Sequence, residues 1–147
     1  MRRILRLVHA GAAWLFVASI VVQVFLAGAA IVNLGGSGDF QTHIGFGYSI
    51  VGLAALAVLV TAVAARAGRR DIGTSFGLLV LYVIQTVLPQ FRASVPSIAA
   101  LHPLNAMILF ALAIWYARRA WRMRFVDAAS GETTTASSAA PAATDPT

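Results

Sequence analysis

The sequence contains no cysteine, no lysine and few charged residues. The lack of thiols excludes disulfide bonds, a thiolate nucleophile, Cys-ligated zinc, iron–sulfur clusters and covalently attached haem. Of the 147 residues, 11% are charged and 59% are hydrophobic, which leaves too few polar side chains to cover a water-soluble fold. The chain is therefore predicted to be an integral membrane protein whose first partner is the lipid bilayer.

Acidic residues are also scarce, and none falls inside a long apolar run. Of the five Asp and Glu residues, three lie after residue 126. Transport coupled to protons or cations is disfavoured, because such transporters carry carboxylates within their spans. A hydrolase is disfavoured as well, since no buried carboxylate is available to orient a base and no Ser stands in a nucleophile motif. The sequence thus identifies no catalytic residue and favours a protein that is not an enzyme.

Four uncharged apolar runs dominate what is present, at residues 10–32, 44–65, 72–88 and 98–117. A helix needs roughly 20 apolar residues to cross a hydrocarbon core, so the runs predict an all-α, up-down transmembrane four-helix bundle within residues 1–125. The third run has only 17 residues. Either it extends through Gln90 and Phe91, or the bilayer thins locally. Residues 126–147 are small, polar and Pro-containing, and predict a disordered tail.

The 11 basic residues are all arginine, and they are distributed unevenly about the predicted spans. Ten of them flank the span ends that face one side, and only Arg92 lies on the other side. This bias predicts a multi-pass protein of the bacterial inner membrane with both termini and the tail in the cytoplasm. Because the arginines fall between apolar runs and not along one face, no nucleic-acid partner is expected.

The two halves of the chain share a short pattern. Residues 21–26 read Val-Val-Gln-Val-Phe-Leu and residues 83–88 read Val-Ile-Gln-Thr-Val-Leu. His43 follows Gln23 after 20 residues, and His102 follows Gln85 after 17. The pattern predicts two parallel helical hairpins related by an approximate two-fold axis along the membrane normal. Short apolar strings also match by chance, but the rarer Gln and His recur in the same order.

Polar residues inside a membrane are costly and usually face the bundle interior. Those expected to converge in the outer half are Gln23, His43, Gln85, His102 and Asn105. Helical spacing predicts that one face of span two carries His43, Gly47, Ile50 and Ala54. The corresponding face of span four carries His102, Ala106, Leu109 and Ala113. Each His then has a small residue one turn below it, which would let a flat ligand approach.

Two further features bear on the helix ends. If span four begins near Ser97, Pro103 removes the hydrogen bond to the Ala99 carbonyl and kinks the helix beside His102. Alternatively, Pro103 marks the start of the helix and His102 lies at the membrane interface. At the other side of the membrane, His9 is expected to reach the inner interface, and Tyr116 to join an inner aromatic belt.

Three motifs carry a family resemblance: Gln-x-x-Leu-Ala-Gly at Gln23–Gly28, His-Ile-Gly-Phe-Gly-Tyr at His43–Tyr48 and Leu-His-Pro-Leu-Asn-Ala at Leu101–Ala106. With them the chain resembles, over about Arg6–Arg119, small four-span bacterial membrane proteins classed as a domain of unknown function. The resemblance implies the topology but no activity. The layout is also similar to one four-helix half of haem A synthase, in which the second and fourth helices each present a His from the outer side.

Two functions are consistent with these patterns. The favoured one is a non-catalytic accessory or assembly protein that binds other membrane proteins. Its Gln and His residues then form interhelical hydrogen bonds, which average roughly 0.6 kcal/mol in membranes. The alternative is an electron-transfer protein with one b-type haem, whose iron is held by His43 and His102 in the outer half. The residues expected to support the ligands or pair a propionate are Gln23, Gln85, Asn105 and Arg92.

Overall fold

The computed structural model describes residues 2–123, which form a bundle of four long helices. The helices are α1 (Arg2–Ala30), α2 (Gln41–Ala64), α3 (Arg69–Val87) and α4 (Leu101–Met123). Each belongs to a helical segment long and apolar enough to cross a membrane. The predicted all-α transmembrane four-helix bundle is therefore confirmed, and the protein is a multi-pass membrane protein. The tail predicted at 126–147 lies outside the described residues.

The helices run up and down in a ring. α1 packs against α2 and α4, and α3 packs against the same two neighbours, so that α2 and α4 face each other across the bundle axis. Apolar side chains such as Phe16, Val58 and Leu109 are fully buried between the helices. Large apolar side chains also cover the exterior, as at Phe25 and Met107, which are 70% and 71% exposed. Lipid acyl chains are the solvent that such an exterior needs.

Two prolines shape the ends of α3 and α4. Beyond Val87 the chain continues as a 3₁₀ helix over Leu88–Arg92, because Pro89 lacks the N–H that an α-helix would use. The third span therefore extends through Gln90 and Phe91, the first of the two predicted alternatives. A helical turn at Pro96–Ala99 precedes α4 and is interrupted at Ala100. The interruption falls three residues before Pro103, beside the Ala99 carbonyl to which Pro103 cannot donate.

A π-helical turn at Gly47–Val51 interrupts α2. Such a turn widens the helix by one residue and is frequent at functional sites. Its effect is that Val51, 4% exposed, faces the core, whereas Ile50 is 46% exposed. The predicted face of span two is therefore wrong at Ile50. The predicted face of span four, which has no such turn, buries Leu109 and Ala113 as expected.

Candidate functional site

A cavity of about 700 Å³ lies between the helices at the end of the bundle that carries both predicted ligand histidines. This end is called the outer end, after the predicted orientation. The cavity lining includes Gln23, His43, Gln85, His102 and Arg92. Asn105 is buried directly behind Gln85, to which it donates a hydrogen bond. The predicted polar residues therefore converge on one cavity.

The first hairpin holds His43 by both of its ring nitrogens. His43 Nδ1 lies 3.0 Å from the backbone oxygen of Gln23, which can only accept, so Nδ1 carries the proton. His43 Nε2 then presents a lone pair, and the Gln23 side-chain amide lies 3.3 Å from it. The same amide donates to the backbone oxygen of His43 across 2.9 Å. The helix-to-helix contact thus selects one tautomer of the imidazole.

The second hairpin repeats this arrangement. His102 Nδ1 donates to the backbone oxygen of Gln85 across 2.9 Å. The Gln85 amide nitrogen lies 3.2 Å from His102 Nε2. Both histidines therefore carry their proton on Nδ1 and present the lone pair of Nε2. The Gln–His repeat read from the sequence corresponds to a repeated three-dimensional contact and not to a chance match of apolar strings.

The two imidazole rings lie edge to face between α2 and α4. Their centroids are 6.5 Å apart and their planes are inclined at 73°. A metal bound by imidazole lies about 2 Å from the nitrogen, so rings on opposite sides of one metal ion have centroids roughly 6 Å apart. The spacing of His43 and His102 thus matches that of two ligands to a single metal centre.

The two hairpins differ at the residue three positions after each His. In the second hairpin this is Asn105, which donates to Gln85 Oε1 across 2.7 Å and to the Leu81 backbone oxygen across 3.1 Å. In the first hairpin it is Phe46, which has no hydrogen-bonding side chain. Within the described part of the chain, Gln23 Oε1 is buried without a hydrogen-bond partner. The site is therefore two-fold in its histidines and asymmetric in their support.

Two positions of α2 require glycine because side chains from other helices pack against them. A Cβ on Gly47 would lie 2.7 Å from the Gln23 amide nitrogen, and one on Gly52 would lie 2.5 Å from the Tyr82 hydroxyl. Tyr82 donates to the Gly47 backbone oxygen in the π turn across 3.0 Å. Gly47 was expected to let a flat ligand approach, whereas the space beside it is taken by the Gln23 side chain. Tyr82 was missed, because a single Tyr in an apolar run carries no periodic signal.

Arg92 lies at the mouth of the cavity as the last residue of the 3₁₀ helix that follows α3. Its side chain is exposed. Beside it, Gln90 Nε2 donates to the Tyr48 hydroxyl across 3.2 Å. The mouth therefore offers one cation and neutral donors, a combination that suits a carboxylate.

A second polar cluster, which sequence reasoning did not predict, occupies the opposite end of the bundle. His9 is 3% exposed and Tyr116 is 0% exposed, so the expected positions at the membrane interface are wrong for both. His9 Nδ1 lies 3.0 Å from Thr61 Oγ1, and His9 Nε2 lies 3.0 Å from the Tyr116 hydroxyl. Because Thr61 donates its own proton to the Ala57 backbone oxygen, it accepts one from His9.

The same cluster contains the only acidic residue between residues 40 and 126, Asp71. It is the third residue of α3 and is 4% exposed, whereas the predicted span began one residue later. Ser75 donates to the Tyr116 hydroxyl across 2.6 Å, and Arg119 Nε donates to Asp71 Oδ1 across 2.6 Å. The cluster thereby links all four helices. Its sequence signal was a lone acid beside a span.

Comparison with known proteins yields one match. Residues 23–92 match the model of a family of unknown function, DUF6220. This confirms the resemblance to a family classed as a domain of unknown function, and the matched segment contains Gln23, His43, Gln85 and Arg92. The DUF6220 match assigns no activity to these residues. No curated protein and no solved structure matches the chain, and the similarity of layout to haem A synthase stays a prediction.

Proposed function

We propose that this membrane protein binds one b-type haem in the outer cavity, with His43 and His102 as the two axial ligands. The observation that carries the proposal is the pair of imidazoles, with centroids 6.5 Å apart across the bundle axis. Each ring donates Nδ1–H to a backbone carbonyl, which leaves Nε2 as the ligating atom. Histidine ligands of metals commonly donate their second N–H in this way.

The cavity fits a ligand of this class. Its volume of about 700 Å³ falls within the roughly 300–1,000 Å³ typical of small-molecule and cofactor sites. Two glutamine amides lie on the Nε2 atoms and must rotate to admit a metal. Gln23 Oε1 has no hydrogen-bond partner within residues 2–123, so moving Gln23 breaks no hydrogen bond at that atom. At the mouth, Arg92 is available to pair a propionate.

The role proposed for the site is one-electron transfer. Bound haem supplies the redox chemistry, while the protein fixes the axial ligands and the surroundings of the iron. The chain contributes two imidazoles of defined tautomer and a largely apolar cavity wall. Because ten of the 11 arginines flank the opposite end of the bundle, the haem lies in the outer half of a bacterial inner membrane, with both termini cytoplasmic.

A second candidate is a non-catalytic accessory or assembly protein. It is supported by the Gln–His contacts, which join α1 to α2 and α3 to α4 without a ligand. In that case the apolar exterior binds other membrane proteins, and the histidines serve only to hold the hairpins together. The two candidates differ in whether Nε2 of His43 and His102 is available to a metal.

The experiment that separates them is the absorption spectrum of protein purified from a haem-sufficient host. The proposal expects a reducible low-spin b-type spectrum, which His43→Ala or His102→Ala abolishes. His9→Gln is the matched control, because His9 lies in the other cluster and its variant should keep the spectrum. A folded wild-type protein that is colourless and does not take up added haem favours the accessory protein.

A further inference from the structure

The two histidines of the outer cavity differ in how firmly a glutamine holds each Nε2. On the second hairpin, the Gln85 amide is fixed at both ends. Its nitrogen lies 3.2 Å from His102 Nε2, and its Oε1 accepts from Asn105 across 2.7 Å. Asn105 is itself anchored to the Leu81 backbone oxygen across 3.1 Å. Any other partner of His102 Nε2 must therefore displace the Gln85 amide, which Asn105 holds in place.

On the first hairpin the corresponding glutamine is held at one end only. The Gln23 amide nitrogen donates to the His43 backbone oxygen across 2.9 Å, and its contact with His43 Nε2 is longer, at 3.3 Å. Gln23 Oε1 is buried and accepts no hydrogen bond from any of residues 2–123. Displacing Gln23 from His43 Nε2 therefore breaks no hydrogen bond at its Oε1, whereas displacing Gln85 also disturbs the bond from Asn105. The lone pair of His43 is the easier one for a metal to reach.

From this asymmetry we propose that His43 is the permanent axial ligand and His102 the exchangeable one, so that the site binds a small neutral molecule on the His102 side. The inference rests on the proposed haem site. In the exchange, the iron–nitrogen bond to His102 breaks and a bond from the incoming molecule to iron forms. His102 Nε2 then accepts its hydrogen bond from Gln85 again. No proton or electron is transferred.

Carbon monoxide added to the dithionite-reduced, haem-bound protein tests this directly. The wild type should bind one carbon monoxide per haem, with the shift of the Soret band that marks replacement of an axial ligand. His102→Ala should keep its haem in a high-spin form and bind carbon monoxide without competition. His43→Ala should lose its haem, because the remaining imidazole is still capped by Gln85.

The support of Gln85 by Asn105 is tested by Asn105→Ala, with His9→Gln in the inner cluster as the control. Releasing Gln85 should strengthen the iron–His102 bond and lower the affinity for carbon monoxide, because the Gln85 amide competes with iron for the lone pair of His102 Nε2. The expected change is roughly tenfold, the lower end of what groups around metal ligands typically contribute. His9→Gln, which lies outside the cavity, should leave that affinity within about twofold of wild type. If Asn105→Ala does not fold, Gln85→Ala removes the competing amide itself and should act in the same direction.

The outcomes distinguish the two proposals. A haem spectrum that carbon monoxide leaves unchanged overturns the exchange of His102 and leaves the proposed function standing. Loss of haem in His102→Ala but not in His43→Ala reverses the assignment and overturns it too. Absence of any haem spectrum before carbon monoxide is added overturns the proposed function and, with it, this inference.

Discussion

Asp71 and Arg119 form an ion pair at the inner end of the bundle, with Arg119 Nε 2.6 Å from Asp71 Oδ1. The Asp71 side chain is 6% exposed and that of Arg119 is 32% exposed. A carboxylate at the end of an apolar span is costly unless a cation compensates it. The pair therefore explains how α3 accommodates an acidic residue beside the buried Tyr116.

The ion pair predicts how three variants differ in thermal unfolding temperature. Arg119→Gln leaves a buried carboxylate without its cation and should lower the thermal unfolding temperature in detergent most strongly. Asp71→Asn leaves a partly exposed guanidinium that water and lipid phosphates can solvate, so its effect should be smaller. The double variant should resemble Asp71→Asn. Equal loss in both single variants would contradict the buried position of the carboxylate.

The hydroxyl group of Tyr116 is predicted to be a main polar contribution to the inner cluster. Tyr116→Phe removes a group within 3.1 Å of His9, Ser75 and the Asp71 backbone oxygen. The loss should cost about 1–3 kcal/mol of unfolding free energy, because buried polar atoms lose their partner. The matched control is Tyr48→Phe at the exposed mouth of the outer cavity, expected within about 0.5 kcal/mol of wild type. Unfolding by denaturant in mixed micelles gives both values.

Two glycines of α2, Gly52 and Gly45, provide a matched test of how closely Tyr82 packs against this helix. Gly52→Ala places a Cβ against the Tyr82 hydroxyl and should destabilise by about 1–3 kcal/mol. Gly45→Ala enters open space on the same helix. It should be neutral or stabilise by up to about 1 kcal/mol through helix propensity. The comparison fails if the two substitutions change the unfolding free energy equally.

The orientation in the membrane is tested by reporter fusions. A reporter placed after Gly68, between α2 and α3, should report the cytoplasm, and one within residues 33–41 should report the outside. The two loops lie at opposite ends of the bundle. An outside signal at Gly68 would reverse the orientation and place the cavity of His43 and His102 at the cytoplasmic end.

Much of the fold could be predicted because its signal is local. Apolar runs of 17–23 residues determine the spans, and Pro89 and Pro103 lie where the helical pattern of α3 and α4 changes. The outer cluster was also predictable, since Gln and His stand out in an apolar sequence and recur in order. The π-helical turn could not be predicted, because nothing in the sequence of Gly47–Val51 distinguishes it from an ordinary α-helical turn. Its consequence, the exchange of Ile50 for Val51 in the core, was missed with it.

The inner cluster escaped prediction for a different reason. His9 and Tyr116 are 107 residues apart, and each alone resembles a residue of the membrane interface. Only packing of the four helices shows that they share a network with Asp71. The unequal support of the two histidines also depends on packing, because Asn105 and Phe46 acquire different meanings only when each lies beside a glutamine.

The central claim is that His43 and His102 together hold a single haem, and a haem titration of the purified wild-type protein tests it most directly. The Soret absorbance should saturate at one haem per chain with a low-spin, six-coordinate spectrum, since the imidazole centroids are 6.5 Å apart. Absorbance that rises without saturation, or that saturates equally in the His43→Ala, His102→Ala double variant, would contradict the claim.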